Sequence, residues 1–326
     1  MLGARMLSKG TAMSHYGTDD YRYLFIAGTT KAATTSLFAY LAAHPEVCAA
    51  SIKETRFFLD ADYPLPAKFR CDSGLDNYER FFDHCDRGGV RLEATPDYLH
   101  SPGTPQRIYD SGLNIKLVFS LREPVSRLKS WYKFSRQMGA IAQDLSFEDY
   151  ILEQTRDADG NKPQYFRALE QGKYSGYLER YFEIFGPGRI HIAFYEQLSS
   201  HPLSVVTDIC EFTGIDPDFY HHYQFDTFNK SQTVRSPGME SLYRRVRFAL
   251  RRQVHNKPVL NASLRRLHLA LLQPLLSRIN IQPQETLMIS PEISSFLASY
   301  YREEYRDLER LLGRTIPWNK SSPACC

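Results

Sequence analysis

Short continuous apolar runs, each closed by small or polar residues and followed by apolar positions at helical spacing, recur along the first two thirds of the chain. Tyr23 to Ala27 is the first such run, and Gly28 closes it. A short run without polar alternation predicts a parallel strand covered on both faces. Leu37, Phe38, Tyr40 and Leu41 then recur at helical spacing, which starts a helix at Thr34. It stops at His44-Pro45, because the residue before a proline is pushed out of the helical region. Val47 to Ala50, Val90 to Ala94 and Ile115 to Leu121 repeat the strand signature, and Arg189 to Phe194 alternates like a strand. Helices are predicted over Asp76 to Cys85, Thr104 to Ser111, Pro124 to Met138, Phe147 to Gln154, Tyr174 to Phe185 and Pro202 to Thr213. Gly214 closes the last of these. Pro291 to Leu312 reads as one further amphipathic helix. Strands separated by helices predict parallel βαβ units, hence an α/β fold, a three-layer sandwich with a central, mainly parallel sheet.

The remaining stretches divide the chain. Residues 1–20 read as a flexible arm, 21–318 as a single domain and 319–326 as a flexible tail. Tyr63 to Asp76 and Thr155 to Pro163 are polar connections. Phe228 to Gly238 is a polar, basic loop that can fold over an anion. From Met239 to Asn280, Arg244, Arg245, Arg247, Arg251, Arg252, Arg265 and Arg266 alternate with Leu, Val and Phe. This predicts two basic amphipathic helices, interrupted at Lys257-Pro258. Peripheral contact with an anionic membrane and solvated faces of packed helices both fit them.

Composition narrows the partners. With 326 residues, 43% of them hydrophobic, the chain can bury a large core. A net charge of +3 is too small to make nucleic acid the main partner, yet it allows a locally basic cleft. No run reaches the roughly 20 apolar residues of a membrane span, and Met1 to Tyr16 lacks a signal-peptide core, so a cytoplasmic location is expected. Cys48, Cys71, Cys85, Cys210, Cys325 and Cys326 include no C-x-x-C and no accompanying His at metal spacing. Reduced thiols and no metal are therefore expected. The oligomeric state is not legible.

Candidate chemistry begins after the first strand. Gly28, Thr29, Thr30, Lys31, Ala32 and Ala33 carry no large apolar side chain and open onto a helix whose first turn holds Thr34, Thr35 and Ser36. Free backbone N–H groups at a helix start make an anion cradle, with Lys31 as its charge. A strand-loop-helix unit with an incidental lysine also fits these residues. The nucleoside triphosphate loop G-x-x-x-x-G-K-[ST] does not, since Lys31 stands three residues before Thr34. Arg122 follows the strand Ile115 to Leu121, where ligands of open parallel sheets bind. Ser130 lies about two helical turns further on, near the face of Ser126, so that an arginine and a hydroxyl can converge on one anion; an ordinary helix serine is the alternative. Lys53-Glu54-Thr55-Arg56-Phe57-Phe58 brings charge to the edge of the core, or forms a surface turn anchored by its two phenylalanines.

Taken together, these pieces resemble the sulfotransferases that use 3'-phosphoadenosine 5'-phosphosulfate (PAPS), particularly the bacterial and Golgi glycan branch that includes the heparan sulfate enzymes. The family's P-loop-like phosphosulfate-binding loop, G-x-x-K-x-G-T-T-S-L, is matched by Gly28 to Leu37 except for Ala33. Its 3'-phosphate motif, an Arg followed eight residues later by Ser, is matched by Arg122 and Ser130. Glu54 stands before an aromatic pair, as the glycan branch places its base. Glu93-Ala94-Thr95-Pro96-Asp97-Tyr98 corresponds to E-K-[ST]-x-x-Y with Ala94 for Lys, which weakens any carry-over of heparan specificity, and the cysteine-closed hairpin of the vertebrate enzymes is missing. Ala33 is expected to bend the loop onto a slightly different path. The resemblance implies transfer of a sulfuryl group from PAPS to a hydroxyl or amine of a glycan, lipid or small metabolite, leaving 3',5'-adenosine bisphosphate (PAP), with no metal required. It implies Glu54 as base, Lys31 at the leaving phosphate, Gly28 and Lys31 to Ser36 around that phosphate, and Arg122 with Ser130 on the 3'-phosphate. Lys230 or Arg235 would close over the donor, and Glu93 and Asp97 are alternative bases. A silent PAP- or PAPS-binding protein, a nucleotide-dependent kinase and a membrane scaffold are the rivals.

Overall fold

Along Arg22–Gly28 (β1) every residue after Arg22 is buried, and successive side chains leave opposite faces of the strand. Tyr23, Phe25 and Ala27 enter one apolar cluster, while Leu24 and Ile26 enter a second. That split is the origin of the layered architecture, since each fully buried Leu, Ile or Phe contributes about 1.5–3 kcal/mol only if helices cover both faces. The computed structural model describes residues 22–85, 89–156, 163–226, 233–234, 281–282 and 287–320.

In chain order the described elements are β1, Thr34–Ala42 (α1), Val47–Ala49 (β2), Leu75–Glu79 (α2), Val90–Glu93 (β3), Thr104–Asp110 (α3), Ile115–Leu121 (β4) and Pro124–Gln137 (α4). There follow Phe147–Thr155 (α5), Tyr174–Phe185 (α6), Ile190–Phe194 (β5), Tyr195–Ser200 (α7) and Pro202–Thr213 (α8). Thr233–Val234 (β6), Ile281–Gln282 (β7), Pro291–Tyr300 (α9) and Arg302–Leu312 (α10) complete them. The main sheet has five strands in the order β2-β3-β1-β4-β5, all parallel. β6 and β7 pair antiparallel.

One face of the sheet is covered by Leu37, Tyr40 and Leu41 of α1, Leu198 of α7 and Val205, Val206 and Ile209 of α8. The other is covered by Tyr78 of α2, Ile108 of α3, Tyr174, Leu178 and Tyr181 of α6 and Leu308 of α10. A third cluster joins α4, α5 and α9 through Leu128, Trp131, Tyr132, Tyr150 and Leu297. The sandwich and its parallel sheet are as the pattern predicts. From β1 the chain crosses to β2 on one side, and from β4 it passes to β5 on the other. The crevice between the carboxyl ends of β1 and β4 is therefore the topological switch point.

Several expectations are corrected. Asp76 to Cys85 is not one helix, because α2 gives way to a 3-10 turn at Arg80–Phe82 that buries Phe81 and Phe82. Pro291 to Leu312 is two helices. Tyr301 sits between them at φ −99°, ψ 1°, with its ring buried and its hydroxyl donating to the Leu169 carbonyl at 2.6 Å. The thiols of Cys48 and Cys85 are not reduced but form a disulfide, since β2 and the turn after α2 bring their Cα atoms to 5.9 Å. His84 stands beside them, and the ligand atoms of the three residues lie within 4.8 Å of one another, but both sulfurs are spent in the bond. Among the described residues no helix is long and apolar enough to cross a membrane. The N-terminal arm, the basic helices of 239–280, Lys230, Arg235 and the terminal cysteines lie outside the described residues.

Candidate active site

The loop after β1 is held from β4. Thr29 N donates to the Ser120 carbonyl at 2.8 Å, and Ser120 Oγ donates to the Ala32 carbonyl at 2.6 Å. Gly28 is required where the loop leaves the sheet, because a Cβ there would stand 2.9 Å from Phe119 Cδ1. Lys31 and Ala33 have left-handed φ values of 71° and 57°. Ala33 takes the αL conformation that glycine adopts without strain, and caps α1 from it. Beyond it the first amides of α1 have no partners within the helix. Thr34 and Ser36 are buried and Thr35 is half-exposed, and Ser36 interacts with the Tyr40 hydroxyl one turn on.

Arg122 reaches this loop from the end of β4. Its Nη1 donates to the Lys31 carbonyl at 3.2 Å, and its guanidinium lies 4.2 Å from the centre of the Tyr195 ring. The Lys31 ammonium lies 4.4 Å from the centre of the Phe134 ring. Burial, and then the Arg122 charge beside it, push the Lys31 ammonium down to about 8. Among the described residues no carboxylate pairs with either cation, and Arg122 Nε is buried without a hydrogen-bond partner. Two adjacent cations without a counter-charge, at a switch point, fit a multiply charged anion. No direct hydrogen bond joins Ser130 to Arg122, but Ser130 stands one turn before Phe134 on α4, on the side that meets Lys31.

The backbone at Arg122 is fixed by residues that the sequence did not reveal. Glu123 caps α4 by accepting from Val125 N and Ser126 N, and it receives the Tyr305 hydroxyl at 2.9 Å. Its own N–H donates to Glu196, which also receives Trp318 Nε1. Tyr174 donates to the Arg122 carbonyl at 2.7 Å. Glutamate is not among the favoured caps, so only the Glu-Pro dipeptide at a helix start could have signalled this one. His100 was missed as well. Buried, and kept neutral by burial and then by the Arg127 charge, it meets Thr29 Oγ1 at 3.1 Å.

A second cluster lies beyond the ends of β2 and β3. Glu54 forms ion pairs with Lys53 at 3.3 Å and Arg56 at 3.1 Å, and opens on a cleft of about 410 Å³ lined by Ile52 to Arg56 and Pro66 to Lys68. Burial pushes the Lys53 ammonium down. Glu93 is not open to this cleft. It is fully buried, accepts from Thr55 and from Tyr78, and burial lifts its carboxyl to about 7. Asp97, on the 3-10 turn Pro96–His100, is lifted to about 6 by burial and then by the Glu54 charge. That turn joins the two clusters, since it carries Asp97 on one side and His100, bonded to Thr29, on the other.

The profile of the sulfotransferase domain matches residues 22–256. The chain belongs to the sulfotransferase family. This sulfotransferase domain is similar to a bifunctional heparan sulfate N-deacetylase/N-sulfotransferase of Drosophila melanogaster, 27% identical over 229 residues, or 64% of this chain and 21% of that protein. It is 26% identical over 208 residues to the bifunctional heparan sulfate N-deacetylase/N-sulfotransferase 3 of Homo sapiens, over 61% of this chain and 22% of that protein. The alignments thus span about a fifth of the length of those relatives. In fold it resembles the crystal structure of a sulfotransferase from Alicyclobacillus acidocaldarius, with a TM-score of 0.63, 23% identity and coverage of 91% of this chain and 98% of that one.

Proposed function

We propose that this sulfotransferase domain moves a sulfuryl group from PAPS to a hydroxyl or amine of an acceptor, with a glycan as the first candidate. The pairing of Lys31 with Arg122, two cations 91 residues apart in the chain yet bonded through the Lys31 carbonyl, carries the reading. Bound PAPS supplies an activated sulfuryl group. Lys31, the loop amides and the hydroxyls of Thr34, Thr35 and Ser36 hold the 5' end, and Arg122 with Ser130 holds the 3'-phosphate. Lys31 neutralises the charge that develops on the 5' side as the bond to sulfur breaks. Glu54 takes the proton from the acceptor, and its ion pairs with Lys53 and Arg56 fix where the carboxylate points. Glu93 lacks the access a base needs, and Asp97 already accepts two hydrogen bonds. The similarity to heparan sulfate enzymes and the cations Lys53, Arg56 and Lys68 around the cleft both favour a glycan that carries negative charge.

The test separates binding from transfer. Glu54→Gln is expected to keep PAP affinity and lose transfer about 100-fold or more. Arg122→Ala is expected to weaken PAP about 10- to 100-fold while leaving 5'-adenosine monophosphate almost unaffected, which removes a charge-assisted contact to the 3'-phosphate. Calorimetry with both nucleotides and transfer of labelled sulfate to a panel of acceptors read the two effects. Near-normal turnover in Glu54→Gln would remove Glu54 as the base.

A further inference from the structure

The connection that opens at Tyr63 and the 3-10 turn Gln164–Phe166 meet at one buried carboxylate. Asp97 Oδ1 accepts from the Tyr63 hydroxyl at 3.0 Å and from Gln164 Nε2 at 2.7 Å, and Gln164 Nε2 also donates to the Tyr63 oxygen at 3.1 Å. Tyr63 opens the connection Tyr63 to Asp76, and Gln164 opens the turn. The donors come from positions 34 and 67 residues away from Asp97 in the chain. No strand ladder holds the segment around Tyr63, so its position depends on side-chain bonds. Three residues after Tyr63, Pro66 begins the wall, Pro66 to Lys68, of the cleft that Glu54 also lines. Arg56 Nη1 holds the Pro66 carbonyl at 3.0 Å, and Arg70 holds the Leu65 carbonyl at 2.8 Å. A buried carboxylate is costly unless donors satisfy it. Those donors tie the Tyr63 connection to the turn at Gln164.

We propose that the Tyr63–Asp97–Gln164 clasp determines acceptor specificity, because it fixes the Pro66 to Lys68 wall relative to Glu54 and so decides which acceptors reach that carboxylate. The proposal rests on the reading of Glu54 as the base. Asp97 acts in it as a positioning residue. Tyr63 and Gln164 are the parts through which the clasp is released without touching Glu54, Lys31 or Arg122.

Tyr63→Phe, Gln164→Leu and Asp97→Asn separate the outcomes. Amide hydrogen exchange is read first, on the free protein, because it does not depend on activity. Tyr63→Phe and Gln164→Leu are expected to speed exchange over residues 63–69 and 164–168 about tenfold, the loss of one hydrogen bond to a charged group, with Asp97→Asn in between. Acceptor KM is expected to rise about 5- to 10-fold in the first two variants, with kcat within about twofold, PAP affinity unchanged and a broader range of acceptors accepted. Unchanged exchange in these variants, or a loosened clasp with the same acceptor ranking and KM, overturns the proposal. So does a loss of kcat in Asp97→Asn at constant KM for every acceptor, which would make Asp97 the base. A wild-type protein that fails to bind PAP would instead overturn the proposed function, and the exchange result would still decide whether the clasp exists.

Discussion

Burial displaces the proton equilibria of Lys31 and Glu93, and the two displacements have different consequences. Lys31, pushed down to about 8, is partly neutral in the free protein near that pH. On the proposed function a phosphate beside it favours the ammonium, so PAP binding is expected to take up a proton. Affinity is expected to fall as pH rises through about 8, by up to about tenfold per pH unit. Calorimetry in buffers of different ionisation enthalpy measures the uptake, and Lys31→Met should abolish it. Glu93 concerns stability. Its carboxyl is raised from 4.5 to about 7 in the folded chain, which therefore binds more protons than the unfolded one between those values. Stability from this residue is present at low pH and is lost as pH climbs through that window. Glu93→Gln is expected to remove about 3 kcal/mol of that loss, read as denaturant midpoints at about pH 5 and pH 8. The meeting of Lys31 and Arg122 was legible because each follows a strand of a parallel sheet, whereas Glu54 was legible only as a charge beside an aromatic pair, which a surface turn explains as well. Asp97 was legible only as a spare acid, and His100 not at all, since their roles come from Gln164 and Thr29, 67 and 71 residues away.

At the scale of elements, the hydrophobic pattern located every strand of the main sheet and missed what holds their ends. The break at Tyr301 was illegible because apolar spacing continues across it, and only the Leu169 carbonyl explains the bend. The start of α1 carries a testable strain. Ala33 is left-handed at φ 57°, so Ala33→Gly is expected to stabilise the fold by about 1 kcal/mol, a rise of about 2 °C in Tm by differential scanning calorimetry. The Cys48–Cys85 bond closes a loop of 37 residues that contains Glu54. Replacing both cysteines by alanine is expected to cost about 3–4 kcal/mol by the loop-entropy relation, seen as a lower urea midpoint. No spacing rule could have paired these cysteines. They meet because an edge strand and a turn pack side by side.

For the whole molecule, the donor and acceptor sides of the proposed function are built differently. Lys31 and Arg122 lie just past the ends of β1 and β4, which pair in parallel, and bonds from β4 hold the loop that carries Lys31. A connection without regular structure, Pro66 to Lys68, lines the cleft that Glu54 opens on, and side-chain bonds hold it. The first kind of order follows from periodicity and can be read from a sequence. The second depends on which loops touch, and local pattern does not encode that. The same asymmetry has a consequence during synthesis. The bond from Arg122 to Lys31 cannot exist until β4 has docked beside β1. A chain stalled on the ribosome before that strand emerges has a glycine turn and a lysine but no second jaw, so on the proposed function nucleotide capture is expected only once the middle of the sheet is complete.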